Sequence, residues 1–152
     1  MEIAIPAAGG CQCGAIRYRI NAQPLTLYCC HCRDCQRQSS SAFGLSLWVN
    51  SHEFELTRGE LSTWSTRGDS GLEKHCTFCS RCGSRVYHVS ADTPDVLSVK
   101  GGTLDVIDSL QPVGHIWACR AHNWLDLQRQ GKPCFEVEPE DFGVLIDAWR
   151  AQ

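Results

Sequence analysis

Cys30, Cys32 and Cys35 put three thiols within six residues, in a CxCxxC run between two apolar, β-like segments. Cysteines this close rarely reach the Cα separation and torsion that a disulfide needs. Convergence on one metal ion is the alternative that the spacing leaves. Soft thiolate donors suit zinc or iron-sulfur chemistry, and zinc takes four ligands in a tetrahedron at roughly 2.3 Å from sulfur. The run supplies three. If Cys29, Cys76 or His31 closes the set the site is structural; if the fourth position is left for an outside ligand it is catalytic. Spacing leaves both readings open. A redox dithiol made by Cys32 and Cys35 is disfavoured, because no βαβ pattern surrounds the motif.

Two further units are incomplete in a complementary way. Cys11 and Cys13 form a CxC, and Cys79 and Cys82 form a CxxC, each followed by a glycine, Gly14 or Gly83. Together they make a four-thiolate set joining segments about seventy residues apart, a closed site whose metal affinity would add directly to folding free energy. The glycines leave nearby amides free to donate to metal-bound sulfur. The plainer alternative is that these cysteines are small buried hydrophobes. Packing is also the default for Cys29, which an extended chain would turn away from Cys30, and for the isolated Cys119 and Cys134. His75, His88, His115 and His122 read as satisfied polar side chains rather than ligands. Arg33, Arg37, Arg81 and Arg85 flank the clusters, as solvated surface or as guanidinium groups for an anionic ligand.

The chain has 152 residues, with 43% hydrophobic and 20% charged side chains, which fits one soluble globular domain spanning residues 1–152. A net charge of −3 gives no basic field for nucleic acid or an anionic membrane. The first ten residues lack a cationic start and an apolar run, and no stretch approaches the length of a membrane span. The expected compartment is therefore the cytoplasm, whose reducing conditions keep eleven cysteines available for metal or catalysis. Strands are expected at residues 15–20, 25–29, 43–49, 54–57, 61–66, 73–78, 85–89, 96–99 and 113–118. One helical turn is expected over 33–38, and a closing helix over 140–150 with Phe142, Leu145, Ile146 and Trp149 on one face. The expected fold is mainly β.

Taken in order, GGCQCGAIRY, CCHCRDCQRQSSSAFG, FCSRCGSRVY, KGGTLD and GHIWACRAHNWL resemble the glutathione-dependent formaldehyde-activating family, which also contains centromere protein V. The likeness runs from about residue 9 to 124 and rests on three cysteine clusters of different spacing in the family's order. It implies a domain of coiled antiparallel sheets stapled by two zinc ions. It assigns Cys11, Cys13, Cys79 and Cys82 to a structural zinc, and Cys30, Cys32 and Cys35 to a catalytic one. The implied activity is a carbon-sulfur lyase-type reaction on an adduct of an aldehyde such as formaldehyde with glutathione or another small thiol. Arg33 or Arg37 would hold ligand carboxylates, and Ser39 or Ser40 would meet the developing oxyanion. Cys76 departs from the family's commoner basic or polar residue just before the knuckle; as a fourth ligand it would close the second site. That outcome would make the protein a non-catalytic zinc scaffold for a protein partner.

Overall fold

A computed structural model describes residues 2–108 and 110–152. The described residues form ten strands and two α-helices: β1 Ala7–Gly10, β2 Arg17–Ile20, β3 Thr26–Cys30, α1 Arg33–Ser39, β4 Gly44–Asn50, β5 Phe54–Arg58, β6 Ser62–Arg67, β7 Glu73–Phe78, β8 Arg85–Ser90, β9 Val96–Lys100, β10 His115–Ile116 and α2 Gly143–Arg150. They build a three-stranded sheet, β1-β2-β5, and a seven-stranded sheet, β10-β3-β4-β9-β8-β7-β6. Pairing is antiparallel except for β10 beside β3.

The period-two pattern expected around residues 15–20 is present: Ile16, Tyr18 and Ile20 are buried while Arg19 is exposed. Tyr18 stacks on Phe54 at 4.9 Å between ring centroids, and Phe54 meets Tyr87 edge-on at 5.1 Å. These rings join the small sheet to the large one. The core continues through Leu47 and Val49 of β4 and Leu97 and Val99 of β9. Outside the core, Arg17 pairs with Asp105 and Arg19 with Glu55 on the exposed rim of the small sheet.

Several expectations need correction. β1 was not foreseen, because its sequence Ala-Ala-Gly-Gly has little strand character and it is held by pairing with β2. The strand expected over 113–118 is reduced to His115–Ile116, since Trp117 adopts a left-handed backbone conformation (φ 57°) and a 3-10 turn follows at Ala118–Arg120. The closing helix starts at Gly143 rather than at 140, and buries Leu145 and Trp149. Its backbone is tied down where the Thr26 hydroxyl donates to the Leu145 carbonyl at 2.8 Å. The 43–49 segment buries Ser46 as well as Leu47 and Val49, because both faces of this central strand are covered. Cys119 is exposed rather than packed, whereas Cys29 is buried as expected.

Among the described residues no helix is long and apolar enough to cross a membrane. Leu47→Ala removes a fully buried side chain from a central strand and should cost about 2–5 kcal/mol. Leu56→Ala, at a position 40% exposed, should stay within about 0.5 kcal/mol of wild type. Urea unfolding of both variants checks the contrast, and equal losses would contradict this placement of the core.

Candidate metal centres and their cavity

The two tight cysteine units that are far apart in sequence meet in the fold. The thiols of Cys11, Cys13, Cys79 and Cys82 all lie within 4.8 Å of one another. Cys11 and Cys13 are 3.6 Å apart at sulfur, and Cys13 and Cys79 are 3.9 Å apart. A tetrahedron of sulfurs about a zinc ion at roughly 2.3 Å has edges of about 3.8 Å, so the donors fit that ion. Gly14 and Gly83 turn the two knuckles with φ of 74° and 77°, a region costly for other residues, and their amides donate to the Cys11 and Cys79 carbonyls. The Ile16 amide donates to the Cys11 sulfur at 3.2 Å, and the Gln12 amide donates to Ser84 Oγ, tying one knuckle to the other. Hydrogen bonds from the Ser84 hydroxyl and amide hold the Cys82 thiol down at about 5.

Cys30, Cys32 and Cys35 form the second group, again with sulfurs within 4.8 Å. Cys30 ends β3. Cys32 caps α1, its sulfur accepting from the Cys35 amide at 3.4 Å, and Cys35 lies one turn into that helix. Strand end and helix start thus aim three thiols at one point. Hydrogen bonds from Cys30 and Cys32 hold the Cys35 thiol well below its usual value, with Lys100 and Lys74 adding positive charge. The same sharing raises Cys30. Three buried thiols that together favour a negative charge suit a soft cation. Cys76 is buried nearby but its sulfur stands outside this group, and Cys29 faces away from Cys30 along the strand.

The group opens on a cavity of about 280 Å³. Cross-strand register explains its wall. Trp64, Cys76, His88 and Ser98 are direct partners across β6, β7, β8 and β9, so they share one sheet face. Lys74 and Lys100, each two residues along a strand from that row, share it too. α1 covers the end of this face with Cys32, Asp34, Cys35, Arg37 and Gln38. Arg85 is three residues from His88 and would point away in a regular strand. The irregularity between Thr77 and Phe78 pairs Phe78 with Arg85 and returns the guanidinium to the cavity side. It lies 5.7 Å over the Trp64 ring.

Lys100 is a cavity residue that the sequence pattern does not single out. It is 8% exposed, and its ammonium donates to His88 Nδ1 at 2.7 Å. Burial lowers its pKa, opposed by the neighbouring thiols of Cys35, Cys30 and Cys76. His88 is pushed well below its usual value by burial and by Lys100. The lysine opening the KGGTLD segment was the available signal; its burial was not. Of the arginines singled out from the sequence, Arg37 reaches the cavity, exposed and 3.8 Å from Asp34, whereas Arg33 bonds Gln36 and is not among the lining residues. Ser39 donates to the Cys35 and Phe43 carbonyls, and Ser40 is an exposed helix cap. Neither serine lines this cavity. His31 and His115 bond each other at 3.0 Å, His75 bonds Ser65, and His122 is exposed.

Residues 6–120 match the model of the family described as "Glutathione-dependent formaldehyde-activating enzyme". A Halomonas elongata protein provisionally named a glutathione-dependent formaldehyde-activating enzyme is 23% identical over 152 residues, covering 95% of this chain and 94% of that one. The crystal structure of a Rhodobacter sphaeroides protein superposes with a TM-score of 0.51 at 16% identity, covering 84% of this chain and 98% of that one, a likeness of fold.

Either group could hold a metal ion. Cobalt(II) titration should give two phases of thiolate-to-metal charge-transfer absorption, and Cys79→Ser should remove one of them. A single phase in the wild-type chain would contradict two separate centres.

Proposed function

Because the chain belongs to the glutathione-dependent formaldehyde-activating family, we propose that it is a zinc-dependent carbon-sulfur lyase-type enzyme handling the adduct of glutathione, or a similar small thiol, with formaldehyde or a related aldehyde. The observation that carries this reading is a three-thiol group whose members Cys32 and Cys35 line a cavity, with the Cys76 sulfur on the same cavity outside the group. A set closed by the chain's own side chains would favour the scaffold instead.

Cys11, Cys13, Cys79 and Cys82 would hold a structural zinc, sealed by two knuckles. Cys30, Cys32 and Cys35 would hold the second. A zinc there supplies a Lewis acid that keeps a guest thiol in its deprotonated form at neutral pH. In the forward direction a sulfur-carbon bond forms, the carbonyl π pair moves to oxygen, and the proton lost from the thiol ends on that oxygen. The lyase direction is the reverse.

The chain's own groups set the conditions for that exchange. Lys100, fixed by His88, places a buried ammonium beside the thiols, where it offsets their negative charge and that of an alkoxide developing in the cavity. The low polarity around it makes this interaction stronger than it would be in water. Arg37 at the exposed edge is suited to drawing an anionic thiol inward, and Arg33, outside the lining, would contribute at longer range. The free cysteines suit a reducing cytoplasm.

Cys32→Ser should abolish protection of the second zinc by added glutathione while sparing most of the fold. Cys82→Ser should destabilise the fold itself. Zinc content and circular dichroism of both variants test the division; equal collapse would contradict it.

A further inference from the structure

The two sheets have four edges, and among the described residues three of these are covered or guarded. β10 bonds through His115 to the backbone of Pro133 and Phe135. β1 bonds through Ala8 to Asp105 and bridges Leu104 at Gly9. β5 ends its sheet with charged side chains, Glu55 and Arg58, a common guard against the addition of a further strand. β6 has neither device. Its backbone bonds to β7 alone, and Ser62, Thr63, Trp64, Ser65 and Thr66 form an uncharged run without proline. Thr63, Trp64 and Ser65 are all exposed, Trp64 by 48%. A bare edge with a large aromatic side chain at its midpoint is a template for one more strand.

We propose that β6 is a self-association edge, on which two copies of this chain pair antiparallel and join their seven-stranded sheets into one. The charges at the ends of the strand select a second copy in this orientation. Glu60 precedes β6 and Arg67 ends it, so antiparallel pairing sets the basic end of each strand beside the acidic end of the other, whereas parallel pairing would oppose like ends. Arg67 lies 3.8 Å from Glu73 in its own copy, an exposed and weak pair that leaves the guanidinium free to reach across. Symmetry then narrows the register. A two-fold axis normal to the sheet keeps each side chain on its own face, so directly opposed residues are both even or both odd in number. With the axis at Trp64, the two indoles oppose each other, Ser62 meets Thr66, Thr63 meets Ser65 and Leu61 meets Arg67. Aromatic pairs and hydroxyl pairs of this kind are favourable across strands, and no charge meets its like. The consequence reaches the cavity beside the three-thiol group. Trp64 and Thr66 line it from the outermost strand, so pairing extends that wall into the other copy and makes the two cavities neighbours on one face.

Sedimentation velocity of the full-length zinc-loaded chain tests the proposal, together with hydrogen exchange of the β6 amides. A six-residue strand pair covers less than the roughly 800 Å² per partner of a standard interface, so a dimer that dissociates in the micromolar range is expected. The β6 amides should gain protection as the concentration rises through that range. Trp64→Glu sets two carboxylates opposite each other and removes the central aromatic pair, and should raise the dissociation constant about tenfold or more with zinc content unchanged. Leu56→Glu, on the β5 edge, should leave the dimer as it is. Ser65→Lys, at a position facing away from the cavity, should weaken the dimer as well and decides the matter if Trp64→Glu does not fold. A chain that stays monomeric, with β6 taken by a strand of a different protein or by none, overturns the proposal. So does a dimer that survives both β6 variants while exchange of the β6 amides is independent of concentration.

Discussion

Like charges gathered in a buried space need compensation, and this constraint governs the whole functional end of the molecule. Three thiols within 4.8 Å cannot all ionise unless positive charge sits close by. Without a cation they share protons, which is why Cys35 is drawn down while Cys30 is pushed up. The fold answers with Lys100, a buried ammonium locked to His88, and with Lys74 and Arg85 on the same sheet face. A soft divalent ion bound by the three sulfurs would complete the balance, leaving the basic wall to act on whatever enters the cavity.

The seven-stranded sheet makes this arrangement possible through register. A row of directly opposed residues runs across four strands, so side chains from widely separated segments are presented together. α1 then closes one end of the row and delivers Cys32 and Cys35 to the thiol of Cys30. The four-thiol group would serve the same purpose at the edge of the hairpin, since the Cys79 and Cys82 knuckle lies in the turn between β7 and β8. A metal holding that turn to the Cys11 and Cys13 loop would fix the strand pair on which Cys76, Arg85 and His88 are carried.

Much of this was legible in the chain. The sulfur spacings announced both groups, because short loops leave ligating cysteines little freedom, and the alternation of Ile16, Tyr18 and Ile20 announced a half-buried strand. What stayed hidden depended on partners. β1 has no intrinsic strand preference and exists through β2. Arg85 reached the cavity through a strand irregularity, which no period-two pattern encodes. Nothing in the residues around Lys100 marks it as buried, and Cys119 reads as a packed cysteine yet is exposed, since burial at such positions is set by which strands and loops pack above them.

If Cys30, Cys32 and Cys35 form a metal site with room for one more sulfur from outside the chain, added thiol must change the sulfur shell of the metal. Zinc K-edge absorption of the fully loaded protein, recorded before and after addition of glutathione, addresses it most directly. The average number of sulfur neighbours per zinc should rise when the thiol is added. A sulfur shell that is already complete and does not change would show that the chain's own side chains close the site, and would contradict the account.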